Sequence, residues 1–567
     1  MNKKSVIKRI TAFSLSAAIV LSLMGCGGKS GKAGKVDKNS ALIKEQIKKY
    51  ENVADVKEIT DGVKLTVAVP SNAKVLDYNT NWQTQLIKEK LGAQLDFIEL
   101  PSADYFSKLN VMVMGGEELP DIIFDPSGYT GWIEQGVVYD LSDLYKNDKF
   151  AANINAGVKR SGKDLVKYIT RPEGGIYCIP KFNEEIFSSV RQKLWLYQPW
   201  LDAIGAKSPE TLDEYYNICK KISKTDLNGN GKFDEVALTG TNLDQWFDCL
   251  MSSFVYAHDE NWRLIKGGKI SFAFTTNEWK NGLKYIKKFF DDGLIPMETL
   301  SQTSDQYKAI YYASVPTLFS FADSNYTGTD LNRRKEYTAV PALKGPSGAK
   351  NSCNIPTIPS PGAVITTDCE NPLAAFIVCD YMCSEEMSIS QRYGKQGQDW
   401  DYMENVKVGK ASEFKATVEG KEPKFYPYNM IKFWNSTEAQ SNSYRLAGPM
   451  ILDMSITSCA AVWPGSSNAD ERSLAELELA TVDAALACYK DQPSEVIDYA
   501  PLTVDETSEV TDIKLAILSY VKEMTASFLS GGKDIDSSWN GYISELENIG
   551  IKEYLKTLQN AYDRVHK

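Results

Sequence analysis

The alternation between residues 65 and 124 constrains this chain most. Leu65-Thr66-Val67-Ala68-Val69 is an apolar, β-branched run stopped by Pro70. Residues 82–91 read as a helix ended by Gly92, and 94–100 alternate as a second strand. Residues 103–115 read as another helix, and Asp121-Ile122-Ile123-Phe124 as a short buried strand. Strand, helix, strand, helix, strand predicts an α/β fold with a mainly parallel sheet flanked by helices. Ligands of such sheets sit beyond the carboxyl ends of the strands. The loops there are residues 71–81 and 125–132, which carry or border Tyr78, Asn79, Trp82 and Asp125.

The chain has 567 residues, too many for one core and suited to two lobes. The pattern predicts a first lobe over 59–175 with a return segment at about 336–395. A second lobe over 176–335 is completed by about 396–567. Strands are expected at 176–180 and 188–197. Ser208 with Pro209 reads as the cap and first position of a helix reaching about residue 223. Further helices are expected at 275–293, 474–489, 508–529 and 541–563.

The N-terminus has a basic start (Lys3, Lys4, Lys8, Arg9), an apolar run over 10–23, and then Leu23-Met24-Gly25-Cys26. That is the layout of a secretory signal peptide over 1–25. The run is shorter than the roughly 20 residues a spanning helix needs. Leu23, Gly25 and Cys26 resemble the bacterial lipobox, in which the cysteine thiol is lipidated and becomes the new N-terminus. Acyl chains then hold the protein at the outer face of the cytoplasmic membrane, and 26–58 reads as lipidated cysteine plus tether. Of the formal charge of −11, residues 1–25 contribute four positive and no negative charges, so the remainder carries −15. An acidic body with no basic block excludes nucleic acid as a partner.

Only two histidines occur, His258 and His566. This excludes zinc chemistry through several histidines and leaves a Ser-His-Asp triad no base but His258. Once Cys26 is lipidated, nine cysteines remain, an odd number with no C-x-x-C pair. Free thiols are expected, with Cys353–Cys369 the one bridge left open.

Residues 226–235, Asp-Leu-Asn-Gly-Asn-Gly-Lys-Phe-Asp-Glu, place oxygen donors at positions 1, 3, 5 and 9 of a loop with glycine at position 6. A hard cation needs six to eight oxygens, and a tight loop with alternating donors points them inward. The glutamate of an EF-hand's position 12 is replaced by Ala237; Glu235 at position 10 is the alternative carboxylate. A structural Ca2+ is expected.

The stretch from Trp200-Leu201-Asp202 through Pro209-Glu210-Thr211-Leu212-Asp213-Glu214 to this loop resembles family-1 extracellular solute-binding lipoproteins. Its closest branch is the oligosaccharide-importing one, similar to alginate-binding and LplA-type proteins. The resemblance recurs at residues 340–348 and 374–391, while Gln396 departs from the usual acidic residue. It implies a two-lobed, type II periplasmic-binding-protein-like clamp with hinge crossovers and no catalytic residues. It also implies a calcium set of Asp226, Asn228, Asn230, Asp234 and Glu235 side chains with the Lys232 carbonyl. An oligosaccharide ligand, ABC permease partners and a monomeric protein follow from the same resemblance.

Eleven tryptophans and 30 tyrosines suit stacking on sugar rings. Trp82, Trp246, Trp400, Trp434 and Trp463, near loops or helix starts, are candidate cleft aromatics beside Tyr78 and Asn79. Asp125 and Arg191 are candidate hydroxyl partners. Two other readings stay open. A cell-surface glycoside hydrolase needs two carboxylates roughly 5–9.5 Å apart; a sensor subunit would present its ligand to a membrane kinase.

Overall fold

Short apolar runs, most of them buried on both faces, form the strands, and the strands assemble into two main sheets. In the computed structural model the described residues are 32–191, 193–258, 261–324, 336–352, 355–402, 428–430, 439–457 and 483–567, with 333 and 481. The strands are β1 (Lys64–Pro70), β2 (Gln94–Leu100), β3 (Ile122–Phe124), β4 (Ile179–Asn183), β5 (Lys193–Tyr197), β6 (Val236–Leu238) and β7 (Arg263–Lys266). After them come β8 (Lys269–Phe272), β9 (Leu318–Asp323), β10 (Tyr337–Val340), β11 (Ser360–Ile365), β12 (Trp400–Tyr402), β13 (Tyr428–Met430) and β14 (Met450–Leu452). One sheet has the order β14-β4-β11-β3-β1-β2 and the other β10-β5-β9-β6; β7-β8 and β12-β13 are separate pairs.

The strand–helix–strand reading of residues 65–124 holds. β1 pairs in parallel with β2 and β3, and the helix Trp82–Leu91 ends at Gly92 with φ +72°. A side chain at Gly92 would also strike Asp61, its Cβ 2.1 Å from the carboxylate. In the first sheet the parallel character extends to β4 and β14, which pair in parallel with each other and run in the direction of β1, β2 and β3. β11 runs antiparallel to both β3 and β4, and in the second sheet only β6–β9 is parallel.

Several segments lie in a different core from the one expected. β4 belongs to the first sheet, because its apolar run pairs with β11 and β14. β10 belongs to the second sheet, paired with β5, and Tyr337, Val340 and Leu343 sit in the second core. β14, from the distant 450–452 stretch, returns to the first. The C-terminal helices Val504–Leu529, Ile535–Ile549 and Ile551–His566 pack into the second core. Ser208 is not the helix cap. The helix Leu212–Ile222 starts at Thr211, which forms a reciprocal capping box with Glu214. Residues 41–49 are no loose tether either: the helix Lys32–Lys49 docks on the first lobe through Ile43.

Three crossovers join the lobes. Residues 184–192 lead from the end of β4 to the start of β5, and 341–359 lead from β10 to β11. A third leaves β14 at residue 452 towards the helix beginning at Val504. They touch one another where they cross: Ile355 N donates to Ser189 O (2.9 Å), the Ser189 and Thr357 hydroxyls lie 3.1 Å apart, and Ser352 N donates to Asp491 O (2.9 Å). A small apolar cluster of Val190, Ala485 and Cys488 sits among them.

The roots of two crossovers in the first lobe are charged and buried. Glu184 pairs with Lys163, Glu185 with Arg392, and Asp453 with Arg160 (2.5 Å). Glu185 and Arg392 are 7% and 1% exposed. Removing one partner of such a pair leaves an uncompensated charge. Arg392→Met is therefore expected to lower the unfolding free energy by about 3–5 kcal/mol. Adding Glu185→Gln should recover most of that loss, both measured from denaturant midpoints.

Candidate ligand-binding cleft

The strand directions decide where a ligand can sit. In the first sheet the carboxyl ends of β1, β2, β3, β4 and β14, with the start of β11, share one edge. In the second sheet the carboxyl ends of β6, β9 and β10 share an edge with the start of β5. The first two crossovers connect these two edges, so the edges flank the hinge.

Asp125 stands on the first of them, directly after β3. Its backbone is left-handed (φ +47°), with its N–H donating to Gly362 O at 2.8 Å. One carboxylate oxygen accepts from Lys181 Nζ at 2.8 Å and the other from Gly448 N–H at 3.4 Å. Burial raises the Asp125 pKa, and the Lys181 charge and hydrogen bond counter it. The side chain keeps 23% of its surface exposed, so this held carboxylate is reachable. Gly448 (φ +84°) lies so close that a Cβ would sit 2.7 Å from the Phe124 ring.

Residues 439–449 are laid across the same edge. Gln440 exchanges backbone hydrogen bonds with Lys74 and Leu76 (3.0 Å each), and Trp82 N donates to Ser441 O at 2.8 Å. Asn81 Nδ2 donates to Ser443 O (3.0 Å) and Tyr444 N to Gln83 Oε1 (2.6 Å). Beneath this floor Tyr78, Phe97, Phe124 and Tyr444 form one aromatic cluster, with ring centroids 5.3 to 6.0 Å apart. Among the described residues the non-glycine positions with positive φ are Asp125, Asn242, Trp262, Arg445 and Leu446. Asp125, Arg445 and Leu446 belong to this floor, and Asn242 follows the end of β6 on the facing lobe. Strain gathers where surrounding structure overdetermines a functional geometry.

The sequence candidates divide under this geometry. Asp125 and the half-buried Trp82 are on the floor, and Asn79 is exposed beside it. The Asn79 amide serves β2, accepting from Phe97 N at 2.8 Å. Tyr78 is fully buried below the floor and supports it rather than lining it. Trp246 is core: its indole N–H donates to Asn242 O (2.7 Å), and its ring fills the space over Gly240. Trp400 is likewise enclosed, bonded to Gly394 O at 2.8 Å within a small satellite core. Both tryptophans lie near glycines: Gly240 leaves room for the Trp246 ring, and the Gly394 carbonyl accepts from the Trp400 indole. Arg191 is exposed on the first crossover; burial and the Arg191 charge together lower the His258 pKa to about 3. Cys26, Cys353, Trp434 and Trp463 lie outside the described residues. Cys369 is a free buried thiol, like Cys178, Cys219, Cys379, Cys383 and Cys488. Lys181, Gly448 and the whole 439–449 segment escaped sequence reasoning, because they reach this edge from strands far apart in the chain. A cavity of about 840 Å3 also lies between the lobes, lined by Lys163, Tyr168, Gly267, Thr357, Glu495 and His566 among others. None of the sequence candidates line it.

The oxygen-rich loop sits before β6, at the end of the second sheet opposite the hinge edge. Asp226 accepts from Asn230 N (3.1 Å) and Gly231 N (2.8 Å), and Asp234 accepts from the Asn228 and Asn230 amides at 3.0 to 3.1 Å. Those amides hold the Asp234 carboxyl below the usual range. Lys232 N donates to Asn230 Oδ1 at 2.8 Å. Glu235 is 5% exposed; its Oε1 takes Leu227 N and Asn228 N, while Oε2 is buried without a hydrogen-bond partner. Among the described residues no three His, Cys, Asp or Glu side chains converge on one point. Any cation here needs the asparagine oxygens as well.

Residues 79–388 match the family described as bacterial extracellular solute-binding protein. The fructooligosaccharide ABC transporter substrate-binding protein FusA of Streptococcus pneumoniae is 23% identical over 517 residues, covering 88% of this chain and 89% of FusA. A solved FusA structure, an EF-hand mutant in complex with fructo-nystose, superposes with a TM-score of 0.67 at 20% identity, covering 88% of this chain and 99% of that one. The HMO-binding ABC-transporter-associated solute-binding protein of Bifidobacterium longum infantis gives 0.72 at 19% identity, covering 89% and 100%. The family pattern spans more than half of the chain and the fold is shared almost end to end, so this chain belongs to the bacterial extracellular solute-binding proteins, two-lobed α/β clamps that capture ligands and are not enzymes.

Proposed function

We propose that the chain captures an oligosaccharide between its lobes and hands it to an ABC permease, held at the outer face of the membrane by lipid on Cys26. The observation that carries the reading is the Asp125 carboxylate, fixed by Lys181 and Gly448 on the edge beside the hinge. A preset acceptor of this kind suits a sugar hydroxyl, and the names of the relatives point to the same ligand class. Contact with both lobes makes the closed form the tighter binder, and the ligand shifts the equilibrium by that difference. The lipobox at Cys26 supports the anchor; among the described residues no helix is long and apolar enough to cross a membrane.

We also read residues 226–235 as a structural calcium loop. The buried, partnerless Glu235 Oε2 and the inward carboxylates of Asp226 and Asp234 fit a hard cation, with Asn228, Asn230 and the Lys232 carbonyl completing the set. Bound there, the ion would tie the loop to β6 and stabilise the second lobe.

Two measurements test these readings. A thermal-shift screen with fructo-, milk- and pectic oligosaccharides should raise the transition by several degrees for a cognate ligand, with no sugar released. Asp125→Asn should weaken that ligand about 10- to 100-fold, the value of a hydrogen bond to a charged group. If every sugar is ignored, the saccharide reading fails. Chelation should lower the melting temperature and added Ca2+ restore it, with ligand affinity at 25 °C unchanged because the loop lies away from the hinge edge. Insensitivity, with no metal by elemental analysis, removes the calcium reading.

A further inference from the structure

We propose that the first helix, Lys32–Lys49, is a second foothold on the membrane, its lysines lying against anionic lipid headgroups. The proposal builds on the anchor at Cys26, and its charge argument is tested without it.

The C-terminal half of the helix is packed on the first lobe. Ile43 is 2% exposed in the first core. The Gln46 amide clasps the backbone at both ends, donating to Glu370 O (2.9 Å) and accepting from Leu373 N (3.1 Å). Just past the helix end, the Lys149 ammonium donates to the carbonyls of Tyr50, Glu51 and Val53 at 2.8 to 3.1 Å. A force applied to this helix is therefore applied to the lobe.

Its charge is opposite to that of the body. Residues 26–49 hold seven lysines against Asp37 and Glu45, a net +5, while residues 50–567 carry −20. Lys44, Lys48 and Lys49 are exposed, and Lys44 and Lys48 lie one turn apart on the same stripe. The other exposed residues of the described part are Ala41 and Glu45. That surface has no aromatic or aliphatic anchor for a protein partner; it offers ammonium groups, which suit phosphate headgroups.

The distance is right as well. Five residues separate Cys26 from the helix. As a coil they span roughly 12 Å, close to the screening length of about 8 Å at physiological salt. Gln46 grips residues 370–373, beyond the end of β11 and so on the sheet edge opposite Asp125. A seven-residue strand spans about 23 Å. The foothold thus holds the ligand-capturing edge turned away from the bilayer.

The test uses the chain from residue 26 with Cys26→Ser, so that no lipid is attached. It is floated with vesicles of phosphatidylglycerol and phosphatidylcholine, or of phosphatidylcholine alone, at about 0.02 M and 0.3 M salt. The bound fraction should be at least about tenfold higher on the anionic vesicles at low salt and vanish at high salt. Lys44→Gln/Lys48→Gln/Lys49→Gln should abolish it without changing the melting temperature. Equal binding to both vesicles, no binding to either, or an unaffected triple variant would overturn the proposal. Failure of the anchor would show separately, as an unmodified Cys26 peptide by mass spectrometry of cell membranes, and leaves the vesicle result intact.

Discussion

The architecture depends on buried charge pairs at the roots of the crossovers. Glu184, Glu185 and Asp453 are the first residues to leave the first sheet, and carboxylates this deep require cations. Arg160 and Lys163 come from the helix Ala152–Ser161 and the turn after it, and Arg392 from the helix Glu385–Tyr393. Arg160 also donates to Ile451 O at 2.6 Å and approaches Glu385 at 3.7 Å. The crossovers therefore depart from fixed points of the first lobe. Farther along, the described residues of the crossovers meet through backbone bonds, the Ser189–Thr357 hydroxyl pair, the Lys350–Asp491 ion pair and the small cluster of Val190, Ala485 and Cys488.

Local signals were legible in proportion to how local their causes are. β1, β2, β3 and the helix closed by Gly92 were read from residues that touch their sequence neighbours. Strand partners were not. Whether β4 joins the first or second sheet is decided by β11 and β14, almost 180 and 270 residues away, and no local pattern encodes that. The Ser208-Pro209 pair looked like a helix start, but Thr211 has the glutamate three residues on that completes a capping box.

The candidate site followed the same rule. Asp125 stood out as a candidate because of its position alone, just past a buried parallel strand. The aromatics were harder, since an indole beside a loop reads the same whether it faces a ligand or a glycine. Gly240 and Gly394 settle it for Trp246 and Trp400, giving the first ring its space and the second an acceptor. The 439–449 floor carries no composition signal; its role comes from Gln440, Ser441 and Ser443 meeting residues 74–82 from across the chain.

The threading of β14 has a consequence for how the protein is made. The first sheet lacks a strand until residue 450 is available, and the second core lacks a wall until the helix ending at His566 arrives. Tyr542, for example, bonds Phe274 O across 268 positions. Contacts this distant form late and slowly. A chain leaving the ribosome or a secretion channel from its N-terminus therefore exposes unfinished apolar faces for almost its whole passage. The first lobe therefore waits for β14 and the second for the helix ending at His566, so the two lobes are completed in that order, each needing protection from aggregation until its last element arrives.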